Sequence, residues 1–494
     1  MSNKYILVVD QGTTRTKATI FDHSGNVISH AYREIKNVFP NPGWVECDAM
    51  KIWISVVDVI TESLIMASLT INDIDSIGIA NQRETTVVWN KKTGKPVYNA
   101  IIWQSKQTVE ICNKVKKYEK EIFKRTGLYV NPYFSASKIR WILDHVKNGQ
   151  KRALKGELVA GTIDSWIIYK LTKHQVFATD YSNASRTLLF NINTLKWDDY
   201  LLKLFNIPKK MLPKVCDSSY DYGKISYFSD HVHITGVAGD QQASLFGQRC
   251  FKKGQYKTTY GTGAFVLTNV GNKVVYSKNK LLTTIAWKIG KQVTYCLEGS
   301  VFICGGLFTW LKRDLKLIDN ETQVQKLATQ VKDSNGVYIV PAFTGLGAPY
   351  WDNEAKGAIY GLSIGTNKKH IIRAAIESMA YQVKDVVDTL KKDTKLDSKV
   401  MRVDGGVCRN EILLQFQADI LRTKIKLPKS EETTGLGACY LAGLKSGYFK
   451  NINQISHIPM VGKEFSPKMP INVVKTKCDN WKTAIEAIQR FKMK

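Results

Sequence analysis

One short pattern occurs twice in this chain and limits its fold more than any other feature. Near the start, the apolar run Ile6–Asp10 meets a tight Gln11-Gly12-Thr13-Thr14 turn and a returning run Thr16–Asp22, and a Ser24-Gly25-Asn26 turn leads into Val27–Ala31. Halfway along, Tyr256–Tyr260 is followed by Gly261-Thr262-Gly263, Ala264–Asn269, a Gly271-Asn272 turn and Val274–Tyr276. Runs rich in β-branched and aromatic residues, bounded by Gly, Asn and Thr, read as strands joined by turns. Each half thus opens on the same three-stranded unit, which predicts a duplicated domain with its boundary near residue 247, giving units 1–247 and 248–494.

A chain of 494 residues exceeds one comfortable core, so two or more domains are expected on size as well. Apolar residues recur at intervals of three and four in Ala49–Leu69, Val109–Thr126, Ala136–His145, Ile371–Lys391 and Asn410–Leu421, which predicts helices. Strands and helices together give an α/β class with two lobes, and ligands of such pairs sit in the cleft between them.

The net charge of +28 would suit a nucleic acid or an acidic membrane surface. The lysines, however, are spread over polar helical faces such as Lys114–Lys120. No basic block is interleaved with stacking aromatics, so a solvated surface is the expectation and no nucleic-acid partner is predicted. Nine scattered cysteines without a Cys-x-x-Cys pair indicate neither a zinc site nor a disulfide framework. The most apolar stretch, Val301–Leu311, is interrupted by Gly305 and Gly306 and falls short of the roughly 20 residues that span a bilayer. No signal-peptide pattern precedes the Tyr5–Val9 strand, and a cytoplasmic protein with no membrane insertion is expected.

Three glycine-bearing turns are candidates for phosphate chemistry. Asp10, at a strand end, offers a hard oxygen ligand for Mg²⁺, while the turn that follows presents Thr hydroxyls and backbone N–H groups to phosphate oxygens. Alone this is equally a hairpin turn; paired with Tyr260-Gly261-Thr262-Gly263 it becomes one of two opposed phosphate clips. The third, Val403-Asp404-Gly405-Gly406-Val407-Cys408-Arg409-Asn410, joins a strand to a helix N-terminus, a geometry that admits a nucleotide close to the backbone. No Gly-x-x-x-x-Gly-Lys-Ser/Thr occurs, so this is not a P-loop.

With these motifs in order, the chain resembles the FGGY carbohydrate kinases along nearly its full length, and most closely the members that phosphorylate glycerol. Tyr133–Ile142 matches one family pattern, and Gly357–Leu362 with His370, Ala374 and Glu377 matches another. The resemblance implies two lobes, each with a ribonuclease-H-like core of the actin and hexokinase type, the acceptor held by the first lobe and ATP mainly by the second. It implies acceptor contacts from Arg83, Glu84, Trp103, Tyr133, Asp240, Gln241 and Phe265. Nucleotide contacts are implied for Thr13, Thr14, Arg15, Lys17, Thr262, Gly305, Gly406 and Asn410. Mg²⁺ falls to Asp10 and Asp240, and a homodimer is implied. Asp240, following the strand Ile234–Ala238, would otherwise be taken for a helix cap; by resemblance it is the base that takes the acceptor hydroxyl's proton. Arg83 and Glu84 taken alone are a surface ion pair; by resemblance they grip glycerol. A kinase for another polyol or sugar of the same fold is the alternative. The chain departs from the pattern at Lys17, where Arg is usual, and at Thr309, where Gln is usual. Lys224–His233 lacks the Gly- and Arg-bearing loop that binds fructose 1,6-bisphosphate in regulated bacterial members, so that control is not expected.

Overall fold

The computed structural model describes residues 4–352, 354–460 and 462–491. Its first sheet has five strands: β1 (Tyr5–Gln11), β2 (Arg15–Phe21), β3 (Val27–Glu34), β4 (Ile74–Asn81) and β5 (His233–Gly239), in the spatial order β5-β4-β1-β2-β3. β1 pairs antiparallel with β2 and parallel with β4, and β5 pairs parallel with β4. The interior strand β1 is covered on both faces, so Ile6, Leu7, Val8 and Val9 are all buried and no alternation is seen in the sequence. At the edge, β3 buries only Ser29 and Ala31.

The second sheet has seven strands: β6 (Tyr256–Tyr260), β7 (Ala264–Gly271), β8 (Leu282–Ile289), β9 (Gln292–Val301), β10 (Val400–Asp404), β11 (Lys424–Pro428) and β12 (Gly462–Phe465). Their order, β8-β9-β7-β6-β10-β11-β12, contains the first sheet's pattern: β9-β7-β6-β10-β11 repeats β3-β2-β1-β4-β5 in order and direction. The repeat has one surprise. The third strand of the second unit is β9; Val274–Tyr276 is not a strand. That apolar run instead packs half-buried against the core, and the Tyr276 hydroxyl bonds the Asn193 side chain at 3.0 Å. The helix expected over Val109–Thr126 is divided into Val109–Val115 and Glu119–Thr126 by a 3₁₀ turn at Lys116–Tyr118. Glu119 there accepts the Val130 N–H at 2.9 Å.

Between β4 and β5 lies a long insertion whose strands Thr86–Asn90, Ala100–Ile101 and Leu158–Thr162 form a small sheet, joined at its edge by Glu46–Cys47 from the segment between β3 and β4. It carries Trp103, Tyr133 and Arg186. The lobes meet where helix α1 (Asp240–Gly247) crosses helix α2 (Thr433–Ser446). Glycines make this crossing possible: a Cβ on Gly437 would stand 1.8 Å from the Ala243 carbonyl oxygen, and one on Gly247 1.9 Å from that of Thr433. α2 also lies on the first sheet, where Gly78 and Gly236 leave room for Ala438 and Ala442. No helix among the described residues is long and apolar enough to cross a membrane.

Candidate active site

The register of the first sheet puts three chain elements on one line. Gln11 of β1 pairs with Asn81 of β4, and Asn81 pairs with Gly239 of β5. Asp10, the Arg83-Glu84 turn and Asp240 therefore leave the same ends of adjacent parallel strands, the place where open α/β sheets bind ligands. Asp10 lies directly opposite Lys17 of β2, and Lys17 is hydrogen-bonded to Glu432 at the start of α2. Burial first, then the nearby Asp240 and Glu432, push the Asp10 carboxyl up to about 7, with Lys17 opposing. Asp240 is likewise raised, by burial, against Arg83 and Lys257.

Asp240 opens α1 and keeps 29% of its side chain exposed at the cleft floor. Its Oδ1 accepts the Gln241 N–H at 2.7 Å and lies 3.4 Å from Arg83 Nε. Gly239 just before it is required: a Cβ there would meet the Arg83 stem at 2.7 Å. Gln241 is buried and its Oε1 accepts from Lys257 Nζ at 2.6 Å.

Arg83 is a buried residue, not a member of a surface pair. Its Nη1 and Nη2 donate to Glu298 of β9 at 2.5 and 3.1 Å, and Nη1 also reaches Gln242 at 3.3 Å. Glu84 does not pair with Arg83: its Oε1 accepts from Arg186 Nε at 2.5 Å, and Arg186 Nη2 donates to Glu298 at 3.1 Å. Against a burial that pushes it up, Arg186 and Arg83 hold the Glu298 carboxyl down at about 2. Glu84 adopts φ +63°, a left-handed conformation uncommon outside glycine and typical of functional turns. Its carbonyl accepts from Thr86 at 2.9 Å and from Ser135 at 3.0 Å, which pins the turn to the loop before helix Ser135–His145.

That loop presents Tyr133. Beneath it, Lys138 is fully buried and donates to the carbonyls of Pro132 at 2.8 Å, Phe134 at 3.2 Å and Tyr133; burial draws its ammonium down to about 7. Tyr133 and Phe265 flank Trp103, with ring centroids 5.5 and 6.5 Å from it. The Trp103 Nε1 donates to Thr13 Oγ1 at 2.8 Å, and its backbone N–H to Thr85 at 3.2 Å. A three-sided aromatic wall thus stands beside a buried cation, a buried carboxylate and Asp240: apolar sides for a carbon skeleton and polar ends for its hydroxyls.

The glycine turns also converge. Gly305 N–H donates to Gly261 O at 2.9 Å and Gly306 N–H to Thr262 O at 3.1 Å, and a Cβ on Gly305 would press on Gly261 O at 2.7 Å. Gly405, at φ +96°, lets its loop touch Tyr260, whose oxygen a Cβ would meet at 2.2 Å. Gly406 faces open space, and a cleft of about 320 Å³ lies alongside, lined by Asp404, Gly405, Arg409, Ser430 and Lys463 among others. Asn410 is buried, its Oδ1 capping helix Glu411–Leu421 through the Leu413 N–H at 3.1 Å. Thr14 and Arg15 are exposed at the rim, the Arg15 guanidinium 4.6 Å above the Tyr32 ring. Thr309 is exposed on helix Gly306–Arg313.

Arg186, Lys257 and Glu298 escape sequence reasoning, since each sits far in sequence from the motifs it serves or looks like an ordinary strand or helix residue; Lys138 and Asp404 lie inside quoted motifs, but no role is read for them there. Asp404 accepts hydrogen bonds from Ser244, Gln248 and Thr433 at 2.7, 2.9 and 2.8 Å, and from Thr259 at 2.5 Å. It so ties together α1, β6, α2 and the Gly405-Gly406 loop. Among the described residues no group of three or more His, Cys, Asp or Glu is arranged to hold a metal. Asp10 and Asp240, both raised by burial and Asp10 further by Asp240, still suit a nucleotide-borne divalent cation, which needs only one or two protein carboxylates.

Comparison with known proteins bears on this geometry. Residues 5–247 match the N-terminal domain, and residues 256–446 the C-terminal domain, of the FGGY family of carbohydrate kinases. The chain is 53% identical to a glycerol kinase of Lactobacillus acidophilus, over 99% of each chain. It is 50% identical to one from Oceanobacillus iheyensis, covering 100% of this chain and 99% of the relative. Among solved structures, Plasmodium falciparum glycerol kinase with ADP superposes with a TM-score of 0.92 at 36% identity, over 99% of each chain. A xylulose kinase from Lactobacillus acidophilus shares the fold, with a TM-score of 0.86 at 22% identity over 98% of this chain and 97% of that one. A duplicated sheet with its carboxylates at the interlobe cleft, matched by both domain models along the chain, places this protein in the FGGY family of carbohydrate kinases.

Proposed function

We propose that this chain transfers the γ-phosphoryl group of ATP to glycerol, giving sn-glycerol 3-phosphate and ADP. The observation that carries this reading is the Arg83-Glu84 turn. It stands buried between the aromatic wall and Asp240, in a chain 53% identical to a glycerol kinase over its full length. The N-terminal unit, 1–247, is assigned the acceptor and the C-terminal unit, 248–494, the nucleotide.

The residues divide the work. Arg83 keeps one Nη2 hydrogen, and Glu84 its Oε2, free of hydrogen bonds to the described residues. One donor and one acceptor side by side match adjacent hydroxyls of a small polyol. Trp103, Tyr133 and Phe265 close over the carbons and exclude water. Asp240 accepts the proton from the hydroxyl that attacks, and Arg83, close to its Oδ1, orients the carboxylate and favours its charged form against the burial that disfavours it. Gln241, fixed by Lys257, adds a contact to the acceptor. The turns at Thr13-Thr14 and Thr262, with Lys17 and Arg15, face the phosphates, while Gly305, Gly406 and Asn410 shape the adenosine side. Asp10 and Asp240 would hold Mg²⁺ brought with the nucleotide, which would supply neutralisation of phosphate charge. The protein is read as a cytoplasmic homodimer.

The test is a coupled assay of ADP release with purified protein, ATP and a panel of acceptors. Glycerol is expected to give the highest kcat/KM. Equal or better turnover of xylulose or gluconate would overturn the substrate assignment.

A further inference from the structure

Glu298 belongs to β9 of the C-terminal sheet, yet its partners, Arg83 and Arg186, belong to the N-terminal half. Its side chain is fully buried, and so are both guanidinium groups. The bonds form an unbroken chain: Glu84 to Arg186, Arg186 to Glu298, Glu298 to Arg83, and Arg83 to Asp240 at 3.4 Å. Three carboxylates, one at each end and one in the middle, thus alternate with two cations. Arg186 Nη1 is buried without a hydrogen-bond partner among the described residues, so Glu84 and Glu298, with the Tyr133 and Phe134 rings 5.5 and 5.3 Å away, compensate that cation.

We infer that Glu298 is a positioning residue for acceptor recognition: from across the interlobe boundary it holds Arg83 and Arg186 apart from each other's carboxylates, and so keeps the Glu84 oxygen and the Arg83 N–H open for adjacent hydroxyls. Without the Glu298 charge, the carboxylates nearest Arg83 are Glu84, its chain neighbour, and Asp240. Arg83 then turns to one of them, filling the acceptor grip with an internal ion pair. A buried pair that only stabilised the fold would have no reason to join the two lobes at the acceptor. This inference rests on the proposed polyol kinase activity.

The test uses the full chain with Glu298→Gln and the conservative Glu298→Asp. Glu298→Gln is expected to raise KM for glycerol about tenfold or more, with KM for ATP within about twofold. It should also narrow the preference for glycerol over 1,3-propanediol, which lacks the middle hydroxyl, by about tenfold. Glu298→Asp, which keeps the charge but shortens the reach, should fall between Gln and the natural protein. Should Glu298→Gln fail to fold, Glu298→Asp carries the same criterion, a rise in KM for glycerol alone. Both KM values moving together, neither moving, or Asp proving no better than Gln would overturn the inference. If the natural protein prefers another polyol, the functional reading fails instead, and the same KM split measured with that polyol still decides the role of Glu298.

Discussion

Replacing Gly437 by Ala tests whether the lobes are joined as tightly as the structure shows. The added Cβ would lie 1.8 Å from the Ala243 carbonyl oxygen, 2.5 Å from its carbon and 3.0 Å from its Cα, all of them backbone atoms that no rotamer change can clear. In its favour, Gly→Ala inside a helix gains about 1 kcal/mol from reduced backbone entropy. Against it, α1 and α2 must part by more than about 1 Å in a seam with normal interior packing density. The seam has no slack, since Gly247 already touches the Thr433 oxygen from the other helix. Overpacking of this kind costs about 1–3 kcal/mol where side chains can adjust, and a backbone obstacle puts the cost at the upper end. The clash outweighs the propensity gain, and a net loss near 2 kcal/mol lowers the melting midpoint of a lobe-sized unit by roughly 4–8 °C. Ala243 is one helical turn from Asp240, so the parting moves Asp240, the proposed base, by a similar distance, and misplacement of about 1 Å costs on the order of 10²-fold in rate. Calorimetry and steady-state kinetics on one preparation check both numbers. A midpoint within 1 °C and a kcat within twofold of the natural protein would refute the reasoning.

Three further outcomes are expected. Asp240→Asn should lower kcat by about 10²–10⁴-fold with KM for ATP within twofold, the mark of a lost general base; near-normal turnover would remove Asp240 from that role. Gly406→Ala meets nothing within 4 Å, so its melting midpoint should be unchanged while KM for ATP rises severalfold; an unchanged KM would place the nucleotide elsewhere. Asp10 is raised to about 7, so its protonated form is favoured in the folded chain. The associated stability is full below the unfolded value near 4 and is lost as pH rises through about 7. Without divalent cations, the midpoint should therefore fall more between pH 5 and 8 for the natural protein than for Asp10→Asn, and Mg²⁺ should stabilise only the former. Asp164 and Asp385, also raised to about 7 by burial, are common to both proteins and cancel in the difference.

The sequence carried the duplicated sheet because its signals are local. Gly12, Gly261 and Gly263 sit in turns between strands, and strand burial follows from β-branched runs. It failed at Val274–Tyr276, where an apolar run of strand type serves packing, and β9 twenty residues on does the pairing. Asp10 was legible as a candidate cation ligand from its own chemistry, and the structure places its carboxylate at the strand end opposite Lys17. Arg83 and Glu84 were visible as a pair, but local reasoning made them partners of one another. Pairing within the turn fails because Glu84 at φ +63° directs its carboxylate to Arg186, and Arg83 reaches Glu298 some two hundred positions away. Lys257 gave no signal at all, and Lys138, though inside a quoted pattern, gave none of its burial. A lysine in a helix or strand is ordinarily solvated, and only tertiary packing buries these two.

Helix α1 connects the observations that seem unrelated in sequence. Its first residue is Asp240, and its last, Gly247, is clamped against α2. Midway, Ser244 bonds Asp404, the carboxylate that also holds Thr259 beside the Gly261–Gly263 turn and Thr433 at the start of α2. Glu432, next to Thr433, holds Lys17 opposite Asp10. The contact between the lobes therefore runs through the same eight-residue helix that carries Asp240. On the proposed function, closing the lobes on the substrates would move Asp240 with them, because buried hydrogen bonds and glycine contacts tie α1 to both lobes.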